Sequence, residues 1–367
     1  MNTPYYLCEE RLLRKNLELL KKISDESGAN ILLALKGFAF SGLADLVSEY
    51  LSGCACSGLH EAKFAKEYFN GEIHTYSPAF KDVDIDEILK ISNHIVFNSF
   101  AQLNRHRNRV KNRVSIGLRI NPEISKSRID LYNPCGVNSR LGVTDKNFKK
   151  EDLDGVEGLH FHALFEEDTD ALEEVLYSFE EKFSDIIYTC KWINFGGGHN
   201  ITKESYDTQK LITIIKKFRL KYGVKVYLEP GEAVGWKTGT LHTTVLDIVD
   251  NGMKIAILDS SAEAHMPDIL TMPYRAEVQN ASRLHEKKYN YKLAGNSCLA
   301  GDIMGDYSFD EPLSIGSKVI FEDQMHYTIV KNTTFNGVKL PDLKIVRENG
   351  DIEMVKEFGY EEYRRRN

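Results

Sequence analysis

Ile31-Leu-Leu-Ala-Leu-Lys36 is a short apolar run that ends in a lysine and is followed by Gly37-Phe38. A run of this length and composition is typical of a buried strand. A lysine at the end of such a strand gives up much of its hydration, which lowers its pKa and suits it to imine chemistry. Lys36 is therefore a candidate Schiff-base lysine. The alternative is a lysine that extends its ammonium from the strand end into water.

Seven similar runs follow along the chain, and helix-period stretches such as 42–51, 59–69 and 171–183 lie between them. The eight candidate strands are 31–36, 53–57, 72–76, 94–98, 115–120, 158–162, 192–195 and 225–229. Strands that alternate with amphipathic helices are typical of parallel βα units. Eight units within about 200 residues predict an α/β protein with a (β/α)8 TIM barrel, whose chemistry belongs at the carboxyl ends of the strands.

Beyond Gly239 the pattern changes to strands joined by tight turns. Asp250-Asn-Gly252 and Glu348-Asn-Gly-Asp351 both carry the Asn-Gly hairpin signal between apolar runs. The sequence therefore predicts a C-terminal β-rich domain. We expect the barrel to span residues 13–239 and the β-rich domain to span 240–367 together with residues 1–12.

Composition limits the possible partners. The 367 residues carry a formal net charge of -7 and no long basic stripe, which argues against nucleic-acid binding and favours a cationic small molecule. The six cysteines are scattered without a CxxC pair, which indicates reduced thiols. No signal-peptide pattern and no apolar stretch of membrane-spanning length is present, so we expect a cytoplasmic protein without a membrane partner.

Several strand ends carry residues suited to binding a cofactor. Phe195-Gly-Gly-Gly198 offers backbone N–H groups to an anion, although a tight βα turn explains three glycines equally well. Glu229, in Glu229-Pro-Gly231, could pair with a pyridinium nitrogen or simply cap a turn. His160 and His162 occupy alternate positions, but no third ligand lies at a familiar spacing, so we predict no metal. His162 is better suited to stacking on a flat cofactor, with His160 as a packed core residue.

The ordered set of Lys36, His162, the glycine loop and Glu229 resembles a known family, the fold-type III pyridoxal-phosphate decarboxylases. This barrel group includes the ornithine and diaminopimelate decarboxylases. The resemblance runs over nearly the whole chain. The strings that carry it include Ala34-Leu-Lys36, Asn121-Pro-Glu123, Ser139-Arg-Leu-Gly142, Leu159-His-Phe-His162, Phe195-Gly-Gly-Gly198, Glu229-Pro-Gly-Glu232, Cys298-Leu-Ala-Gly-Asp302 and His326-Tyr-Thr328.

The resemblance implies pyridoxal 5'-phosphate as the cofactor and a role for each matching residue. Lys36 would bond to the cofactor, His162 would stack on its ring, and Glu229 would pair with its ring nitrogen. Cys298 would be the acid that returns a proton to the substrate carbon. Gly196, Gly197, Gly198, Arg140 and Tyr327 would complete the cofactor site. Cys298 and Asp302 would enter the site from a neighbouring subunit, which implies a homodimer.

Two departures from the family pattern bear on the substrate. Relatives usually carry Gly-Ser after the stacking histidine, where this chain has Ala163-Leu-Phe165, so a serine contact to phosphate is in doubt there. Relatives often read Glu-Pro-Gly-Arg, where this chain has Glu232. An acid at that position disfavours a second carboxylate on the substrate and favours a polyamine tail. Glu263 and Asp268, with Asp302, are further candidates to meet its amines, although acidic residues are often simply solvated.

The branch that the chain most resembles decarboxylates carboxynorspermidine and carboxyspermidine to norspermidine and spermidine, and we expect this reaction. One alternative is a decarboxylase of diaminopimelate, ornithine or arginine. Another is a relative that binds the cofactor but has lost catalysis and acts as a regulator. Intact Lys36, Glu229 and Cys298 argue against that loss. One methylene separates the two carboxypolyamines, so the residues do not decide between them.

Overall fold

The computed structural model describes residues 2–127, 129–272 and 274–367. By its internal contacts the chain divides into two compact units. One contains Met1–Lys15, Gly37–Gly42 and Gly235–Asn367, and the other contains Asn16–Lys36 and Leu43–Val234. We call them the sheet unit and the barrel unit. The predicted boundaries at residues 12 and 239 stay a prediction.

The strands, numbered in chain order, are β1 Tyr5–Glu9, β2 Asn30–Ala34, β3 Gly53–Cys56, β4 Glu72–Tyr76, β5 His94–Phe97, β6 Ser115–Arg119, β7 Val156–His160, β8 Trp192–Asn194, β9 Lys225–Leu228, β10 Gly239–Asp250, β11 Lys254–Leu258, β12 Ala281–Ser282, β13 Tyr289–Ala294, β14 Ile303–Phe309, β15 Lys318–Phe321, β16 Asp342–Val346 and β17 Ile352–Lys356. The α-helices are α1 Glu10–Ser27, α2 Ala44–Tyr50, α3 Leu59–Tyr68, α4 Ile85–Ile91, α5 Phe100–Val110, α6 Thr169–Ile187, α7 Thr208–Tyr222, α8 Glu232–Gly235, α9 Ala262–His265, α10 Asp268–Thr271 and α11 Tyr360–Arg366.

Strands β2 to β9 form a closed barrel in chain order, with every neighbouring pair parallel and β9 pairing with β2. This confirms the predicted TIM barrel. The eight strands start within two residues of the predicted ones, and several end one or two residues earlier. Part of the barrel interior is filled by apolar side chains from alternate positions, among them Leu32, Ala34, Ala55, Val96, Trp192 and Tyr227.

Aspartate N-caps and a C-terminal glycine mark the ends of the longer barrel helices. Asp168 accepts hydrogen bonds from the N–H groups of Asp170 and Ala171 and so caps α6. Asp207 caps α7 in the same way through the N–H of Lys210. Helix α7 ends at Gly223, whose φ of 70° is the left-handed conformation that glycine adopts most readily.

In the part of the chain that the structure describes, the sheet unit contains nine strands. Eight of them follow the order β12-β14-β13-β11-β10-β1-β16-β17, and β15 pairs with β10. The first predicted hairpin is present because β10 and β11 pair antiparallel, with Asp250 opposite Lys254. The second joins β16 and β17, with Val346 opposite Ile352. Strand β1 lies between β10 and β16, so the start of the chain belongs to this sheet.

Among the described residues, no helix has both the length and the apolar character that crossing a membrane requires.

Candidate active site

Lys36 lies two residues beyond the end of β2, in the turn that follows the strand. Burial lowers the pKa of its ammonium and the charge of Arg119 lowers it further, while Glu229 and Glu61 act in the opposite direction. The residue still presents an exposed surface. Protein atoms therefore surround Lys36 while part of its surface stays open to solvent. A lysine with a lowered pKa supplies more of the neutral, nucleophilic amine near neutral pH.

Glu229 follows β9 directly, and its side chain is only 13% exposed. Its Oε1 accepts a hydrogen bond of 2.7 Å from Nδ2 of Asn194, the last residue of β8. Its Oε2 lies 3.3 Å from His160 Nε2. That second contact is electrostatic and not a hydrogen bond, because neither ring nitrogen of His160 has a hydrogen-bond partner among the residues that the structure describes.

These neighbours keep Glu229 ionised. Burial opposes ionisation, but His160, His74 and the Asn194 amide outweigh it and lower the pKa of Glu229 to about 2. Burial also lowers the pKa of His160 itself. Because a neutral imidazole attracts a carboxylate less than an imidazolium does, the Asn194 hydrogen bond is the firmer of these causes. Glu229 is a charged carboxylate in a mostly enclosed position.

The glycine loop after β8 passes close to neighbouring backbone. A Cβ at Gly196, Gly197 or Gly198 would approach a carbonyl oxygen to 2.4, 2.4 or 2.0 Å, distances that exclude any side chain. The carbonyls belong to Phe161, Glu229 and Leu164 respectively. The loop therefore needs its three glycines to pass between the ends of β7 and β9.

The backbone N–H groups of this loop differ in whether they have a hydrogen-bond acceptor. That of Gly196 donates to Asn194 Oδ1 (2.8 Å), and that of Gly197 donates to His162 Nδ1 (2.9 Å). Those of Gly198 and His199 have no hydrogen-bond acceptor among the residues that the structure describes. An anion would therefore bind to the N–H groups of Gly198 and His199, while Gly196 and Gly197 shape the turn.

His162 lies two residues beyond β7 and is half-buried. Burial lowers its pKa well below the ordinary value, and the charges of Lys36 and Arg119 act in the same direction. Its Nδ1 accepts the Gly197 hydrogen bond, which is possible only when that nitrogen carries no proton. His162 is therefore a neutral ring, fixed in orientation by the glycine loop.

Arg119 and His160 also belong to this cluster, although neither is among the site residues that the sequence predicts. Arg119 ends β6, is 6% exposed and lies over the Tyr76 ring at 4.7 Å. The Tyr76 ring also meets His160 edge to face, with centroids 5.5 Å apart. Arg119 shows the same signal as Lys36, a cation at the end of an apolar strand, but the predicted strand 115–120 extends one residue beyond it. The His160 contact depends on which strands face each other, which spacing along the chain does not reveal.

Arg140 lies in the long connection between β6 and β7 and is exposed. Its carbonyl accepts a hydrogen bond of 2.8 Å from Asn98 Nδ2, and Asn98 Oδ1 accepts one of 2.8 Å from the Tyr76 hydroxyl. The backbone at Arg140 is thus tied to the same end of the barrel, next to the residues around Arg119.

Glu232 begins α8, close after Glu229, and its side chain is 17% exposed. Lys203 lies between two carboxylates, with its Nζ 3.8 Å from Glu232 and 3.6 Å from Glu166. Both separations are long for ion pairs. The barrel mouth therefore carries acidic residues that a cation could approach.

The other predicted residues lie in the sheet unit. Cys298 is exposed, and its N–H donates to Asn336 Oδ1 (2.6 Å). Asp302, two per cent exposed, is occupied by backbone: Oδ1 accepts from the N–H groups of Ala262 (2.6 Å) and Glu263 (3.4 Å), and Oδ2 from that of Ser297 (3.2 Å). Its carboxylate fastens the segment that carries Cys298 to the start of α9.

Tyr327, Asp268 and Glu263 complete the predicted set. Asp268 forms an ion pair with Lys331, whose Nζ also lies 5.7 Å from the centre of the Tyr327 ring. The Glu263 carboxylate is half-buried and accepts a long hydrogen bond of 3.5 Å from the Thr333 hydroxyl. Within the described part of the chain, the Glu263 carboxylate forms no ion pair.

A parallel barrel with a low-pKa lysine, a neutral histidine, an ionised buried carboxylate and a glycine loop at one end defines a pyridoxal-phosphate enzyme of the barrel type. Comparison with known proteins agrees. A family model described as pyridoxal-dependent decarboxylase, C-terminal sheet domain, matches residues 23–324. The chain belongs to this family of pyridoxal-dependent decarboxylases, and pyridoxal 5'-phosphate is its cofactor.

Individual relatives match over the full length. The chain is 56% identical to the carboxynorspermidine/carboxyspermidine decarboxylase of Campylobacter jejuni, over 100% of this chain and 99% of that protein. It is 42% identical to the carboxyaminopropylagmatine decarboxylase of Synechocystis, over 99% and 95% of the two chains. A solved C. jejuni carboxynorspermidine decarboxylase, complexed with norspermidine, superposes with a TM-score of 0.94 at 55% identity and covers 100% of both chains.

Proposed function

We propose that this decarboxylase removes carbon dioxide from carboxynorspermidine and carboxyspermidine, giving norspermidine and spermidine in polyamine biosynthesis. The observation that carries the proposal is the full-length likeness to the C. jejuni enzyme, at 56% identity. The carboxylates of Glu232 and Glu166 at this end of the barrel add support, because a substrate with several ammonium groups could bind to them.

The residues present fit the cofactor. The N–H groups of Gly198 and His199 lack acceptors among the residues described and could meet a phosphate. His162 offers a neutral ring to a flat heterocycle, and Tyr327 and Arg140 are the further contacts that we propose. Glu229, ionised because its pKa is about 2, favours a proton on a nitrogen base beside it.

Each residue then has a defined task in the reaction. Lys36 would hold the cofactor in the barrel through its amine, which condenses with an aldehyde with loss of water. Pyridoxal phosphate, when bound, withdraws the electron pair that the departing carbon dioxide leaves on the α-carbon. Cys298 then delivers a proton from Sγ to that carbon. The fixed His162 ring limits the directions from which water could protonate the α-carbon in place of Cys298.

We propose Glu232 and Glu263 as the main contacts of the substrate's ammonium groups. Asp268 and Asp302 remain candidates, but Asp268 is paired with Lys331 and the Asp302 carboxylate accepts three backbone hydrogen bonds. A further cation would have to displace those partners. The long separations between Lys203 and its two acids are easier to break.

We further propose that the enzyme is a cytoplasmic homodimer in which Cys298 and Asp302 serve the partner's site, with no nucleic-acid or membrane partner. Mixing inactive Lys36→Ala and Cys298→Ala chains tests the shared site. Random exchange of subunits would restore about 25% of the wild-type rate, since half of the dimers would then hold one intact site. A mixture that stays inactive although subunits exchange would contradict the shared site.

The substrate is tested by measuring carbon dioxide release from the cofactor-loaded protein. Carboxynorspermidine, carboxyspermidine, carboxyaminopropylagmatine, diaminopimelate, ornithine and arginine are compared at equal concentration. We expect the first two to give kcat/KM values at least about 100-fold above the amino acids, because a site built for several cations leaves groups unpaired with a shorter substrate. Release mainly from diaminopimelate, ornithine or arginine would favour the other decarboxylase reading, and no release from any compound would favour the regulator.

A further inference from the structure

The amino-terminal end of the barrel holds a polar cluster that the proposed reaction does not use. Glu72 and His94 are the first residues of β4 and β5, and His74 follows Glu72 on the same face of β4. Lys36 and Glu229 lie beyond the carboxyl ends of their strands. Because all eight strands are parallel, the cluster and the candidate active site belong to opposite ends of the barrel.

The three side chains converge. One possible ligand atom from each of Glu72, His74 and His94 lies within 4.8 Å of the other two. His74 Nε2 is 3.0 Å from Glu72 Oε2, and the two imidazole rings stack with centroids 3.8 Å apart and planes 12° apart. The Tyr227 hydroxyl donates to the same carboxylate oxygen at 2.9 Å. The group thus offers two imidazoles and a carboxylate, with a phenol beside them.

Hydrogen bonds within the described part of the chain leave some nitrogens of this cluster without a partner. His74 and His94 are 2% and 9% exposed, yet Nδ1 of each has no hydrogen-bond partner in the described part of the chain. The floor of a barrel is ordinarily filled by branched apolar side chains, and burying imidazole nitrogens without partners costs free energy. Unpartnered nitrogens on two neighbouring rings, beside a carboxylate, are the arrangement that a metal ion would complete.

We propose that Glu72, His74 and His94 form a structural binding site for a divalent transition metal of the Zn²⁺ type. Two imidazoles and one carboxylate are a familiar zinc donor set, and the fourth position is open to water or to the Tyr227 hydroxyl. Two ligands on one tetrahedral zinc lie about 3.3 Å apart, and an imidazole nitrogen binds a metal in the plane of its ring. One of the two stacked rings therefore has to turn out of the stack about its Cβ–Cγ bond when the ion binds.

An ion could reach this site from solvent, and it would stabilise the barrel there. The Glu72 side chain is 38% exposed, so the carboxylate links the buried rings to solvent. Ligands from β4 and β5 would join two neighbouring strands at the end of the barrel that takes no part in catalysis. The bound ion would therefore stabilise the barrel unit without entering the reaction.

The test uses the pyridoxal-phosphate-loaded enzyme and zinc chloride alone as the probe. We expect uptake of one zinc per chain by calorimetry, a Tm that rises by about 2 °C or more and falls again with EDTA, and an unchanged rate of decarboxylation. In crystals soaked with zinc, the anomalous difference map should show a peak about 2.0–2.2 Å from atoms of all three side chains.

Two variants make the test specific. His94→Phe keeps an aromatic ring in the stack and Glu72→Gln keeps an acceptor for Tyr227, so both should fold while losing at least about tenfold in zinc affinity. His60→Gln, at an exposed histidine outside the cluster, and Cys298→Ser, at the exposed thiol, should bind zinc as the wild type does. Zinc binding that survives both cluster variants, or the absence of an anomalous peak at the cluster, would overturn the proposal.

Discussion

Replacing Glu229 by glutamine tests the electrostatic centre of the barrel site. The pKa of this carboxyl falls from 4.5 to about 2 in the folded protein. Each pKa unit corresponds to 1.36 kcal/mol of preference for one protonation state, so the neighbours favour the carboxylate over the acid by about 3 kcal/mol. Glutamine keeps the shape and the Asn194 hydrogen bond but cannot carry the charge. If a charge interaction of similar size holds the proton on the cofactor's ring nitrogen, its loss lowers kcat by about 100-fold.

The assay measures kcat, KM and the absorbance spectrum of the bound cofactor for Glu229→Gln and for a matched control. Glu157→Gln is that control, since it makes the same change at a partly exposed carboxylate that pairs with Lys191 outside the site. We expect the control to keep wild-type kcat and the wild-type spectrum. A Glu229→Gln enzyme within about threefold of wild-type kcat, with an unaltered spectrum, would refute this account of the carboxylate.

The same shift has a consequence for stability. Because the folded pKa of Glu229 lies below its unfolded value, its contribution to stability is complete above about pH 4.5 and is lost as the pH falls towards 2. The difference in free energy of unfolding between wild type and Glu229→Gln, measured with urea, should therefore shrink through that range. A difference independent of pH between 5 and 3 would mean that the carboxylate is not stabilised by its surroundings.

Three further predictions follow from single contacts. Gly198→Ala should unfold at lower urea than Gly223→Ala, because both positions have a positive φ but only at Gly198 would the Cβ meet a carbonyl, that of Leu164, at 2.0 Å; equal midpoints would contradict the packing of the loop. Asp302→Asn should lower the free energy of unfolding by about 1–3 kcal/mol, and it should lower kcat more than it raises KM, since it loosens the segment that carries Cys298. A rise in KM alone would instead make Asp302 a substrate contact. Lys203→Met should lower KM for carboxynorspermidine about threefold at low salt, by removing a competing cation, and an unchanged KM would place the substrate amines elsewhere.

Much of the fold could be predicted because strand periodicity is local information. The alternation of apolar runs and amphipathic helices located all eight barrel strands, and two Asn-Gly turns located two hairpins of the sheet. The strand ends were less accurate. Lys36 and His162 were placed within strands, yet β2 ends at Ala34 and β7 at His160. Both residues lie in the turns beyond, where a side chain can enter the barrel mouth.

The contacts between distant strands could not be read from the sequence. Arg119 acts on Lys36 because β6 and β2 belong to the same closed barrel, and the charge state of Glu229 depends on residues of β8 and β7. Asp302 resembles a substrate ligand in the sequence, but its surroundings show a buried carboxylate that accepts backbone N–H groups. Such assignments need the register of the barrel and the course of the loops.

The most direct test of the central claim follows carboxynorspermidine with the wild-type enzyme and with Lys36→Ala, each loaded with pyridoxal phosphate. We predict equal amounts of carbon dioxide and norspermidine from the wild type. We predict neither product from Lys36→Ala, together with no cofactor attached to that protein after borohydride reduction. Products from Lys36→Ala at a comparable rate, or a wild-type enzyme that binds the cofactor through Lys36 and leaves carboxynorspermidine unchanged, would contradict the account.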